Sequence, residues 1–452
     1  MKKILIAILA IIIALPIYAY AQRRQMQDRS MYYSYGSRML ADYFVEPAES
    51  PDSINILVSF RIIYDAMSFT RDERAGGYAA APELEIVLRD EDDIIRKREM
   101  WRSNIFVEDY DLTTSKTDYG FGSVSLAMPA GRYSMEIRLL DVVNRDESTF
   151  EFDFGKNYDF AESAMMSAPL FGRIDRGIFE PFVMDNDIAF GISDAVGILS
   201  ISYKNSGNYK YKIKKIEGRT APDNWPGEFE LTGDAEILPG KMLRITSGAN
   251  TSAIYAIRDG DYPSGDMNYG LLRMNFESED FVPGEYRLMA WRDGQGDTLH
   301  YNFSVRWLSM PLSLRQPEYA AEMMYYIMHE DEHDDLADGN QSEIFEHILQ
   351  YWRDKDPTPE TAYHESMATY FHRVDHAFFN YQTLSQQDGA RTERGKIYIL
   401  HGEPDDVSQL FEKNTTMEIW TYKNLGKQFV FEQAEQGEYK LREIRPIQSA
   451  SK

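Results

Sequence analysis

From Ile54 onward the chain alternates apolar and polar positions: Ile54, Ile56, Val58, Phe60 and Ile62 are interleaved with Asn55, Ser59 and Arg61, as a strand with one buried face requires. The same period of two returns at Leu84/Ile86/Leu88, Val124/Leu126/Met128, Tyr133/Met135/Ile137/Leu139 and Phe150/Phe152/Phe154. Beyond a connector from Tyr158 to Pro169, strands are predicted at Leu199/Ile201/Tyr203, Tyr209/Tyr211/Ile213, Met242 to Thr246, Ser252 to Ile257 and Leu272/Met274/Phe276. Short strands separated by turn residues predict antiparallel sandwiches.

One order of residues occurs twice. Met128-Pro129-Ala130-Gly131-Arg132-Tyr133 leads into a strand, an Asp141 turn and a second strand through Phe154; Val282-Pro283-Gly284-Glu285-Tyr286 leads into a strand, an Asp293 turn and a strand at Leu299/Tyr301/Phe303/Val305. These read as the last hairpins of two all-β, immunoglobulin-like or fibronectin-like sandwiches, at residues 46–157 and 168–310, behind a lead-in at 22–45.

After Pro311 and Pro317 the period becomes 3.6, which predicts an α+β domain over 317–446, helices first and a small antiparallel sheet after them. Helices are expected at Tyr319 to Met328 and Glu343 to Trp352, joined by the polar run His329 to Asn340. A third is expected from Thr358-Pro359-Glu360, where Thr358 suits the cap and Pro359 the first turn, to about Tyr381. Its apolar stripe is Tyr363, Met367, Tyr370, Val374, Ala377, Phe378 and Tyr381. Lys396 to Leu400 reads as a strand, and Met417 to Tyr422, Gln428 to Glu432 and Tyr439/Leu441 as the sheet.

Composition narrows the classes of function. The 73 acidic residues against 48 basic ones give a net charge of −25, a field that repels nucleic-acid phosphates and anionic lipid headgroups. No cysteine is present, which excludes disulfides, thiol nucleophiles, thiolate metal sites and lipidation on cysteine. Met1-Lys2-Lys3, the apolar run from Ile4 and the small-x-small end Ala19-Tyr20-Ala21 form an export signal over residues 1–21, cut between Ala21 and Gln22. The competing reading is an uncleaved anchor, because Ile4 to Ala21 just reaches spanning length. With the signal removed, a periplasmic or extracellular protein that is neither lipid-anchored nor stably inserted in a membrane is expected.

The candidate chemistry lies in the last third, where every histidine sits at or after His300. His372 and His376 are four apart and share a helical face with Glu365, a geometry able to meet one ion. They lie opposite the apolar stripe, and the zinc-protease order H-E-x-x-H is missing. Asp259, Asp261 and Asp266 lack the order and glycine of a calcium loop. Gly389, Gly395 and Gly402 are too far apart for a phosphate loop. No cofactor is expected. The polar residues offered for a functional site are Glu365, Arg373, Thr392, Glu393, Arg394, Glu403 and Asp405.

From Phe345 to Glu443 the sequence resembles the bacterial GWxTD-domain family. The residues carrying the resemblance are Trp352-Arg353-Asp354, Asp356-Pro357-Thr358-Pro359, Glu365, Arg373-Val374, Arg394-Gly395-Lys396-Ile397-Tyr398-Ile399-Leu400, Gly402-Glu403-Pro404-Asp405 and Glu418-Ile419-Trp420-Thr421-Tyr422. The naming turn departs from the family pattern. Ala390 stands at the Trp and Glu393 at the Asp, leaving Gly389 and Thr392. The resemblance implies an exported bacterial protein with β-rich regions ahead of this domain and carries over no established activity. Two functions are therefore expected in competition. One is a non-catalytic envelope module that binds a protein or surface polymer; the other is a hydrolase using Glu365 or Glu403 as base with Arg373 or Arg394 holding an anion.

Overall fold

The computed structural model describes residues 38–447 apart from 51, 116–117, 141–146, 163, 193, 206, 217–221, 246–253, 259–266, 277–280, 295–297, 359–360, 413–414 and 435–436. The expected signal over residues 1–21 with its cut at Gln22, the lead-in up to residue 37 and the carboxylates Asp259, Asp261 and Asp266 lie outside the described residues. The protein is mostly β-sheet, followed by helices and a small C-terminal antiparallel sheet. It divides into two compact units.

The first unit comprises residues 1–165, 177–185 and 242–267. Strands Met39–Pro47, Ser53–Ile63 and Tyr119–Pro129 form one antiparallel sheet. Ile54, Ile56, Val58, Phe60 and Ile62 are all fully buried there, as their alternation predicts. A second antiparallel sheet runs Glu147–Asp153, Tyr133–Leu140, Glu83–Asp90, Ile95–Arg102. Aromatic contacts join the two sheets: Phe60 meets Trp101 edge-on at 4.8 Å, and Tyr43 meets Phe152 at 5.1 Å. Residues 177–185 and 242–267 fall within the expected second sandwich yet pack with this unit. Their strands Ile178–Pro181 and Ile254–Arg258 pair antiparallel. Fully buried Tyr255 sets its hydroxyl 2.6 Å from that of Ser59.

The second unit comprises residues 166–176, 186–241 and 268–452. Its sheet runs Thr298–Arg306, Gly284–Arg292, Tyr209–Lys215, Glu230–Leu238, Asn268–Asn275, Val196–Tyr203, Leu170–Asp175. The duplicated sequence order has a structural counterpart. Tyr133 donates its hydroxyl to the Pro129 carbonyl at 3.1 Å, and Tyr286 donates to that of Val282 at 2.8 Å, in each case four residues back.

The helical region contains α1 (Pro317–Met324), α2 (Glu330–Ala337), α3 (Gln341–Arg353), α4 (Glu365–Asn380) and α5 (Glu393–His401). A capping box starts α3: Asn340 accepts from the Ser342 and Glu343 amides, while Glu343 accepts from the Asn340 amide. A four-stranded antiparallel sheet follows, Asp406–Glu412, Thr415–Tyr422, Lys427–Gln433 and Tyr439–Pro446 in sequential order. On one of its faces Trp420, Tyr422, Phe429 and Phe431 form a core with Ile397 of α5.

Three local expectations are corrected. Lys396 to Leu400 is helical, because Thr392 caps the segment: its hydroxyl accepts from the Gly395 amide at 3.0 Å. The long helix begins at Glu365, not Thr358. The buried Asp356 carboxylate captures the Thr358 amide at 3.0 Å and the His364 ring at 2.5 Å, which holds the approach in a turn. The polar run after His329 includes a helix, α2, of which only Leu336 is buried.

The helices share a core with the sheet of their own unit. Trp225 lies 5.1 Å from Phe190, 6.1 Å from Trp307 and 6.0 Å from Phe345 of α3, and it stacks on His364 at 6.1 Å and 9°. No helix among the described residues is long and apolar enough to cross a membrane.

Candidate functional site

Helix α4 places most of the candidate chemistry. Its buried stripe holds Met367, Ala368, Tyr370, Phe371, Val374 and Ala377. Ser366, Thr369 and Arg373, spaced i, i+3 and i+7, lie together on a neighbouring strip. With Glu365 and Tyr370 they line a cavity of about 340 Å³. Ile327, Trp352 of α3, and Ile399 and Leu400 of α5 complete its walls.

Glu365 and Arg373 thus reach one cavity from opposite ends, since eight residues of helix rise about 12 Å. Exposed Glu365 accepts a hydrogen bond from the Thr358 hydroxyl at 2.6 Å. Half-buried Arg373 lies against the backbone of Gly402, which ends α5 with φ 79°. Among the described residues Arg373 makes no ion pair. The indole N–H of Trp352 is buried with no acceptor. The Tyr370 hydroxyl is committed, donating to the Met323 carbonyl at 2.6 Å, and burial pushes that phenol far up.

The other candidates lie elsewhere. Thr392 donates to the Gly389 carbonyl at 2.7 Å while capping α5. Glu393 accepts from the Leu441 amide. Arg394 pairs with Glu418 at 3.3 Å and lies 4.1 Å over the Tyr439 ring; Glu418 also accepts from the Trp420 indole at 2.8 Å. Asp405 accepts from the Lys423 amide at 2.6 Å, which fixes the turn into the sheet. Glu403 is exposed. Of these seven polar residues, Glu365 and Arg373 line the cavity, and Glu403 follows the Gly402 that Arg373 touches.

His372 and His376 lie at the surface with their rings partly covered. Part of their face is covered by α5, whose Tyr398 stacks on His376 at 4.2 Å and 13°. Burial lowers the pKa of both rings, and for His376 the nearby Glu403 partly opposes it. No group of three His, Asp or Glu able to hold a metal occurs among the described residues.

The naming turn has a steric logic. A Cβ on Gly389 would strike the Ala377 carbonyl of α4, and one on Gly395 would strike the Gly389 carbonyl. Both glycines therefore allow backbone to meet backbone. Ala390 is fully buried, its carbonyl accepting from the Tyr326 hydroxyl at 3.1 Å.

Two buried carboxylates stand outside the candidate residues. Asp356 holds the His364 ring and the Thr358 amide. Burial pushes its carboxyl upward, but those hydrogen bonds outweigh it and hold the pKa below the usual value. Asp375 accepts from the Leu312 amide at 2.6 Å and the Ser313 amide at 2.9 Å, tying α4 to the turn Ser313–Arg315. Burial pushes its pKa up to about 6, against those hydrogen bonds and Arg315. For Ser366, Thr369 and Arg373 the polar i, i+3, i+7 spacing beside an apolar stripe was the available signal.

Residues 297–449 match the GWxTD domain, in agreement with the resemblance of the C-terminal region. The match takes in the strand Thr298–Arg306, all five helices and the final sheet. No curated protein matches the chain.

Proposed function

We propose that this is an exported, non-catalytic component of a bacterial envelope, which binds another protein or a surface polymer. Its two β-rich regions are read as immunoglobulin-like sandwiches; the paired tyrosine hydrogen bonds to carbonyls four residues upstream support that reading. The observation that carries the functional proposal is how the candidate polar residues are used. Thr392, Glu393, Arg394 and Asp405 are engaged in capping, pairing and turn formation. Glu365 is exposed at the far end of the cavity from Arg373, whereas a catalytic carboxylate needs a sheltered setting near its target.

The hydrolase alternative draws on one fact, that Glu365 and Arg373 line the same cavity. Gentle crosslinking of the mature chain in envelope extract tests the binding reading, with recovery of a defined complex as the expected result. A chain that stays monomeric and uncrosslinked would overturn it. Peptidase, esterase or glycosidase turnover that disappears in Glu365→Gln would establish the hydrolase instead.

A further inference from the structure

We infer that the α4 cavity receives a carboxylate-bearing peptide segment of a partner protein, with Arg373 holding the carboxylate and the apolar walls holding a neighbouring side chain. This rests on the binding function proposed above and names the chemistry of that site.

Acidic residues outnumber basic ones 73 to 48 in this chain, so an arginine normally finds a carboxylate. Several arginines of this region do: Arg391 pairs with Asp388 at 2.9 Å, Arg394 with Glu418, Arg442 with Glu432 and Arg445 with Glu443, whereas exposed Arg353 bonds the Gln350 side-chain carbonyl. Arg373 has no such partner among the described residues, although it is half-buried at a cavity wall. A guanidinium in that setting presents a fork of donors that matches a carboxylate with two parallel hydrogen bonds. The Trp352 N–H on the same wall also lacks an acceptor.

The remaining lining selects among anions. Ile327, Trp352, Ile399 and Leu400 supply apolar surface beside the cation, which suits a peptide with a large apolar residue next to its carboxylate. A phosphate would meet a single cation, Arg373, a poor balance for a dianion. A uronic-acid polymer carries the carboxylate but offers hydroxyls to those apolar walls. The cavity is also of the size that holds a few side chains.

The test uses the full mature chain and two peptides, acetyl-Gly-Leu-Phe with a free carboxylate and the same peptide as its amide. Titration calorimetry and the NMR shift of the Trp352 indole N–H are the readouts. The acid is expected to bind about tenfold more tightly than the amide or better, with the difference lost in Arg373→Gln and partly kept in Arg373→Lys. Thr369→Trp, at an exposed cavity position, is expected to block both peptides, and it carries the test should Arg373→Gln unfold. Equal binding of acid and amide, no binding at millimolar concentration, or tighter binding of a galacturonate trimer would overturn the site. Cleavage of the bound peptide would leave the site standing and overturn the non-catalytic reading; a failed titration leaves the crosslinking result untouched.

Discussion

Arg373 and Gly402 touch so closely that a Cβ on residue 402 would sit 3.0 Å from the guanidinium carbon. The same glycine has φ 79° and ψ −157°, a backbone region that L-residues avoid. Gly402→Ala should therefore lose about 1–3 kcal/mol from backbone strain alone. The double variant with Arg373→Ala should recover only the steric part. Urea unfolding of the single and double variants checks this, and full recovery in the double variant would show that the backbone term is absent.

The naming turn gives a graded series. Thr392→Ala removes the cap of α5 and should cost about 1 kcal/mol, whereas Thr392→Ser should be nearly neutral. Gly389→Ala and Gly395→Ala drive a methyl group into a carbonyl oxygen and should cost more than Thr392→Ala. Thermal midpoints of the four variants are the measurement. A Gly395→Ala protein as stable as wild type would refute the close approach.

The pair between Arg394 and Glu418 is only slightly exposed, at 15% and 10% of the two side chains. Arg394→Ala leaves the carboxylate with the Trp420 indole as its remaining side-chain donor and should cost about 2–3 kcal/mol. Arg394→Lys should restore part of this. If Arg394 held an external anion instead, removing it would alter binding and leave the melting temperature in place.

Asp375 predicts a pH dependence. Its pKa in the folded protein is pushed up to about 6 from 3.8 by burial, so the folded state binds its proton more tightly than the unfolded chain does. Its contribution to stability is complete below pH of about 4 and is lost as the pH rises through about 6. The stability difference between wild type and Asp375→Asn should therefore fall across that window and stay level above it. Denaturant unfolding at a series of pH values measures it; a difference that rises with pH would reverse the assignment.

Much of the β architecture was legible because antiparallel strands with a buried face favour alternation, and Ile54 through Ile62 keep it except at Leu57, which is buried with Ser59 on the opposite face. The repeated turn-Tyr-strand order was legible too, since a tyrosine that bonds four residues back needs only local sequence. Helix α5 was misread. Ile397 and Ile399 alternate like a strand, and the helix is settled by the Thr392 cap and by Gly395 meeting Gly389, a contact that no periodicity encodes. Thr358-Pro359 imitates a helix start, but the Asp356 side chain claims the Thr358 amide first. At the candidate site, Glu365 and Arg373 stood out by residue type and helical position. Trp352, Ile399 and Leu400 join them only through packing of three helices, and the approach of Gly402 to Arg373 spans a turn whose direction the sequence leaves open.

Ser59 and Tyr255 meet across 196 residues of chain, and residues up to 267 belong to the first unit. A chain that emerges from its N-terminus cannot finish that unit until residues 166–176 and 186–241 of the second have been delivered. Meanwhile the sheet face around Ser59 waits without its cover, and exposed apolar strands of this kind invite wrong pairing. Order of synthesis and order of completion thus differ here: the earliest strands wait 196 residues of chain, from Ser59 to Tyr255, before they are sealed.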